Sequence, residues 1–167
     1  MNPHSWAIFT KRITINAPLD EVYRAWATPG GLERWFLRKA TFRSVEGNAR
    51  DENALVQKGD AFTWHWHGHP DSVVEKREVI SANDKDKVQF TFSGGCLVTV
   101  VLKPIGDGVV ACGLTQENIP FDDNPQTSLF VGCGEGWTFY LANLKSYLEG
   151  GVDLRNKNPT ITHVINS

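Results

Sequence analysis

The segment from Asn124 to Gly151, NPQTSLFVGCGEGWTFYLANLKSYLEGG, constrains the fold more than any other part of the chain. Phe130, Cys133, Trp137, Tyr140, Leu141, Leu144 and Leu148 recur three and four apart, so they share one face of a 3.6-period helix. Asn124 is placed to cap the start, Pro125 suits the first helical position, and Gly150 or Gly151 supplies a left-handed stop. About 25 residues rising ~1.5 Å each make a rod of roughly 37 Å, enough to cross a small domain. A rod with one apolar stripe needs a surface to bury it, and the preceding sequence offers short strands of period two. The expectation is a helix packed across a sheet.

At 167 residues the chain has the size of one domain, and such a domain buries roughly 70% of its unfolded surface. A net charge of −2 gives no electrostatic case for nucleic acid or an anionic membrane. No apolar run approaches the ~20 residues of a membrane span, and MNPHSWAIFTKR lacks the basic start and apolar block of a signal peptide. Cys96, Cys112 and Cys133 are odd in number without C-x-x-C spacing, which fits buried thiols in a reducing, cytoplasmic setting. Six tryptophans and nine phenylalanines stand out: either the core is bulky or a pocket is lined with rings.

Trp6 to Asn16 reads as a first strand, with Phe9, Ile13 and Ile15 opposite Thr10, Arg12 and Thr14. In APLDEVYRAWAT, Pro18 is expected at a first helical position, with Asp20 and Glu21 matching the helix dipole and Leu19, Val22, Tyr23 and Trp26 on one stripe. Thr28-Pro29 opens a second short helix carrying Leu32, Trp35 and Phe36. Residues 46–60 are a long polar loop. Thereafter Phe62, Trp64 and Trp66 alternate with Thr63, His65 and His67; Val73 to Ile80 forms a charged strand and Asn83 to Lys87 a turn. Val88, Phe90 and Phe92 follow, and a last hairpin joins Leu97–Lys103 to Val109–Ile119. The order is β-α-α, five or six strands, then the long helix: one antiparallel α+β domain over 1–167.

ITINAPLDEVYRAWATPGGLERWF, with GWTFYLANLKSYLEGG far downstream, resembles the helix-grip superfamily of START-like and birch-pollen-allergen-like proteins. It is most similar to the branch named for the activator of the heat-shock chaperone ATPase, the polyketide-cyclase-like group. The resemblance runs from about Phe9 to Gly151 and implies a seven-strand antiparallel sheet curled around the C-terminal helix, with a cavity between them. It does not fix an activity, because fold and function are separable. Val152 to Ser167 extends past the resemblance, and its PTITHVI segment reads as an edge strand of this subunit or a partner.

If the apolar sheet face meets the helix, Trp64, Trp66, Phe90 and Phe92 point inward towards Trp137 and Tyr140, as core filling or as the wall of a cavity. Parity on the last strand groups Val110, Cys112, Leu114, Gln116 and Asn118, making Gln116 and Asn118 polar handles beside Leu114. His65, His67 and His69 have ligand-like spacing but the wrong parity for the interior, so no metal is expected. Gly132, Gly134 and Gly136 weaken the helix by about 0.5–1 kcal/mol each, through either close packing or a cavity mouth. Glu117 and Glu135 have no paired base or nucleophile, so no catalytic residue is assigned. Lys145, Arg155 and Lys157 fit dipole matching and solubility.

These features favour a cofactor-free binding protein for a small apolar or amphipathic molecule. The alternatives are a cyclase- or hydrolase-like enzyme in the same cavity, or a chaperone-binding, stress-response module acting through its surface. A homodimer is compatible with all three.

Overall fold

The computed structural model describes residues 3–165. Seven strands form one antiparallel sheet: β1 (Ile8–Ile15), β2 (Lys39–Arg43), β3 (Ala61–His65), β4 (Glu75–Ala82), β5 (Lys87–Phe92), β6 (Cys96–Gly106) and β7 (Val109–Glu117). Their spatial order is β1-β7-β6-β5-β4-β3-β2, so the first two strands in sequence lie at opposite edges. Two short helices, α1 (Leu19–Ala27) and α2 (Pro29–Trp35), bridge those edges, and α3 (Leu129–Gly150) follows the last strand. This is the α+β helix-grip arrangement expected from the sequence. The strand that carries no strong pattern of its own, β2, uses Ala40 and Phe42 as its buried pair.

Strand parity holds. Phe62 and Trp64 of β3, Val88, Phe90 and Phe92 of β5, and Val110, Cys112, Leu114 and Gln116 of β7 all turn into one core. On α1, Val22, Tyr23 and Trp26 are buried together, and the Trp26 and Trp35 rings meet edge-on at 4.6 Å. Pro18 is not the first helical residue; it is extended at φ −61°, ψ 147°, one place earlier. Thr28 caps α2 as expected, its hydroxyl oxygen accepting from the Gly31 N–H at 2.9 Å with Pro29 next in line.

The long helix starts at Leu129, later than Asn124-Pro125 implies. Asp122 and Asn124 are drawn into a turn instead. The Asn124 carbonyl accepts from Thr127 and Ser128 N–H, and its side chain accepts from Gln126 N–H at 3.0 Å. Short polar side chains compete with the helical ladder in this way, so the cap passes to Ser128, which accepts from Val131 N–H at 3.4 Å. The other end behaves as expected: Gly151 takes φ 70° and donates its N–H to the Tyr147 carbonyl at 2.8 Å.

Among the described residues of the tail, 152–165, there is no strand. Asn156 and Asn158 fold it into turns by bonding to the backbone of Asn158, Thr160 and Ile161. Nor is Arg155 a solubilising surface charge. Its guanidinium is fully buried and donates to the carbonyls of Leu37 and Glu33, each at 3.0 Å, while pairing with Asp153 at 2.8 Å. Buried Asn143 completes the anchor by donating to the Trp35 carbonyl at 2.6 Å and accepting from Leu154 N–H at 2.7 Å. Together Asn143 and Arg155 cover carbonyls at the end of α2 that have no continuing helix to bond. The 46–60 loop is tied down in a similar way, by buried Val56 and by a two-pronged Arg50–Asp60 pair at 2.7 and 2.8 Å.

Candidate functional site

α3 runs closest to β1, α1 and α2, and stands away from the β3–β5 side of the sheet. Rings close most of that gap. Phe36 is the hub, with its centroid 5.1 Å from Trp137, 4.9 Å from Tyr140, 5.6 Å from Trp64 and 5.8 Å from Trp66. Towards the start of α3 the rings stop short, leaving a cleft of about 380 Å³. Trp66, Phe92, Trp137, Tyr140 and Phe36 form its apolar wall, with Glu75 and Ser93 on a second side and residues 126–129 at the rim. The helix contributes Gly132, Cys133 and Gly136 as the floor. A Cβ added at Gly132 or Gly136 would meet nothing within 4 Å, whereas at Gly134 it would touch the Lys11 side chain at 3.9 Å. Gly132 and Gly136 therefore keep the cleft open, and close packing does not explain them.

Of the residues expected to line a cavity, Trp66, Phe92, Trp137 and Tyr140 do so. Trp64, Phe90 and Leu114 lie behind them in the packed core, where Trp64 stacks on Phe62 at 3.9 Å. Gln116 is fully buried and does not line the cleft. Its carbonyl oxygen accepts from the Trp137 indole N–H at 2.9 Å, so the polar handle holds the ring and is not offered to a ligand. Its amide nitrogen lies beside the Cys96 and Cys133 thiols without forming a well-directed hydrogen bond to either. Asn118 falls outside altogether. The backbone turns left-handed there, at φ 60°, one residue after β7 ends, and the side chain is exposed. Strand parity cannot be carried past such a break.

Phe36, Glu75, Ser93 and Cys133 are cleft residues that sequence reasoning did not single out. The consecutive rings of Trp35 and Phe36 were a usable signal; Glu75 and Ser93 had none, because they meet only when β4 pairs with β5. The Ser93 hydroxyl donates to Glu75 Oε1 at 2.6 Å, and Arg77 Nε donates to Oε2 at 3.1 Å.

Burial dominates the acid–base chemistry. It pushes the Tyr140 phenol up to about 12, so this group stays neutral. Burial also raises the Cys96 and Cys133 thiols and takes Cys112 up to about 12. Protonated thiols are poor nucleophiles, and the cleft presents no paired base. His65 shares β3 with Trp64 on the opposite face, while His67 and His69 lie in the turn beyond it. Among the described residues no three His, Cys, Asp or Glu side chains converge on a metal position. Burial, followed by the charges of Arg155, Lys157 and Arg38, lowers His67.

A seven-strand sheet gripping a C-terminal helix, with an aromatic cleft at one end, defines a helix-grip protein of the START-like superfamily. The model of the family described as "Activator of Hsp90 ATPase homolog 1-like protein" matches residues 16–149, and the chain belongs to that family. Solved structures agree on the fold. SSP2350 from Staphylococcus saprophyticus is 19% identical, with a TM-score of 0.67 over 89% of this chain and 96% of that one. The Aha1 dimer from Colwellia psychrerythraea is 19% identical, with a TM-score of 0.65 over 86% and 97%. DynU16, from the dynemicin biosynthetic locus, is 20% identical, with a TM-score of 0.66 over 90% of this chain and 50% of its own. No curated protein matches the sequence. No helix among the described residues is long and apolar enough to cross a membrane.

Proposed function

We propose that this protein binds a small, flat apolar or amphipathic molecule in the cleft between α3 and the β4–β5 side of the sheet. One observation carries the reading: α3 withholds side chains at Gly132 and Gly136, beside Tyr140 on the same helix and in the cleft that half-buried Trp66 also lines, where a Cβ would meet nothing within 4 Å. An ordinary core fills such space, because lining atoms without neighbours forfeit dispersion contacts. Two glycines in mid-helix are unfavourable by about 0.5–1 kcal/mol each, so a helix that keeps them keeps the space. Among the described residues no activated nucleophile lines the cleft, which favours binding over turnover, with Trp66, Phe92, Trp137 and Tyr140 as ligand contacts.

The test is a titration with a planar apolar probe. Saturable quenching of tryptophan fluorescence in the micromolar range, roughly −8 kcal/mol at 1 μM, is expected. Gly136→Leu fills the cleft and should abolish that binding while the protein stays folded. Unaltered binding by this variant moves the site elsewhere.

Membership of the family favours a second reading, a chaperone partner held on the outer surface of a cytoplasmic protein, and the dimer formed by the Colwellia protein favours a homodimer. Stimulation of a chaperone ATPase by the cleft-filled Gly136→Leu variant would support the surface role independently of the ligand. Sedimentation gives the subunit number.

A further inference from the structure

We infer that the molecule the cleft is built for carries a protonated amine on a flat aromatic body. This deepens the ligand-binding proposal above and rests on it. Hydrogen-bond polarity is the first reason. The Ser93 hydroxyl gives its single proton to Glu75 Oε1 at 2.6 Å, so towards the cleft it can only accept. Glu75 is a carboxylate with a side chain 16% exposed; Arg77 takes Oε2, and Oε1 keeps a lone pair beside Ser93. At the rim, the Thr127 hydroxyl gives its proton to Asp122 at 2.6 Å and is likewise left as an acceptor. Ser93, Glu75 and Thr127, all cleft residues, thus present acceptors with no proton to give. A ligand head seated against Glu75 and Ser93 brings the donors, and an ammonium brings up to three.

The rings point the same way. Phe36, Trp66, Phe92, Trp137 and Tyr140 surround the space, and aromatic faces attract a cation through their quadrupoles. Two features oppose a cation. The start of α3 presents about half a positive charge at the rim, and cleft residues also carry donors: the Ser128 and Tyr140 hydroxyls, the Trp66 indole N–H and the Gln126 amide. The Arg77 guanidinium offsets part of the Glu75 charge, but it does not line the cleft and its side chain is 37% exposed to screening solvent. A head seated at Glu75 and Ser93 meets acceptors, and a carboxylate there would meet Glu75 with like charge.

Three matched probes decide the question: naphthylmethylamine, naphthylmethanol and naphthoate, titrated at neutral pH and one ionic strength by tryptophan quenching and calorimetry. The expected order is amine, then alcohol, then carboxylate, with the amine about tenfold tighter than the alcohol, in the range of a charge-assisted hydrogen bond. In Glu75→Gln, which keeps the side-chain volume, that ratio should fall to near one while alcohol binding is retained. Naphthoate binding as tightly as the amine in the parent protein overturns the inference without any variant, and so does an amine preference that survives in Glu75→Gln. If the alcohol binds but the amine gains nothing, the cleft is a ligand site and only the amine is wrong. Failure of all three probes to bind overturns the ligand-binding proposal and the amine with it.

Discussion

From Leu141 onward, helix α3 packs one face against α1, α2 and the tail; from Leu129 to Tyr140 it lies beside an open cleft. The packed half carries buried polar side chains that find partners. Asn143 and Arg155 reach carbonyls at the end of α2, and Arg155 carries its counter-charge, Asp153, two residues away. The open half does the reverse, pairing two glycines with half-exposed rings and a buried amide nitrogen that has no hydrogen bond. The anchor at the end of α2 is built from paired groups, and the candidate site occupies the part of the fold that could have been filled and was not.

The strongest way to break this contrast is to remove the anchor. Arg155→Ala leaves Asp153 and two buried carbonyls without their donor, and losing one member of a buried pair costs about 3–5 kcal/mol. Urea denaturation should show that loss with little change in the slope. The anchor also sets the response to acid. Burial alone would raise the Asp153 carboxyl, but hydrogen bonds from Arg155 and Lys157 more than reverse it and hold it well below the usual carboxylate range. A depressed carboxyl stabilises fully above its unfolded value of about 4 and loses that contribution as pH falls below it. Asp153→Asn should therefore start less stable at neutral pH and lose less than the parent between about pH 5 and pH 3. An unchanged acid limb would place the charge elsewhere.

Smaller effects come from the boundary between the halves. Gln116→Leu removes the acceptor of the buried Trp137 N–H, which costs about 1–3 kcal/mol. A melting temperature equal to that of the parent would mean the indole finds another acceptor. The same substitution also eliminates the unbonded amide nitrogen, so the loss should fall near the lower bound.

Legibility followed the same division. Strand parity and the three-and-four spacing of Val22, Tyr23, Trp26, Trp137, Leu141 and Leu144 located the core, because periodicity records which side of an element is dry. Trp66, Phe92, Trp137 and Tyr140 were readable as cleft residues for the same reason. Asn118 was misplaced where a left-handed residue ended the strand, and Asn124 where a side-chain turn displaced a helix cap. Arg155 was opaque for a different reason: its partners are backbone carbonyls at Glu33 and Leu37, which have no residue-type signature. Glu75 and Ser93 meet only through strand pairing, so a linear reading shows a charged strand and a turn serine with nothing to join them.

One substitution, glycine to alanine, tests the packed end of the fold and the open half of α3 with opposite signs. At Gly31, where α2 packs under α1, a Cβ would lie 2.1 Å from the Arg24 carbonyl oxygen and 2.6 Å from the Thr28 hydroxyl. Backbone cannot yield cheaply there, so Gly31→Ala should lose about 1–3 kcal/mol by overpacking. At Gly136 a Cβ would meet nothing within 4 Å, and alanine is the better helix former by about 1 kcal/mol. Gly136→Ala should therefore raise the melting temperature by about 2–4 °C, the usual scale for 1 kcal/mol in a chain of this size. The added methyl enters the cleft, so the same variant should weaken a planar probe that packs against α3. A gain in stability with weaker binding is the signature of a residue kept for the space beside it. A loss of stability at Gly136 would mean that the helix is closely packed at that point, as α2 is at Gly31.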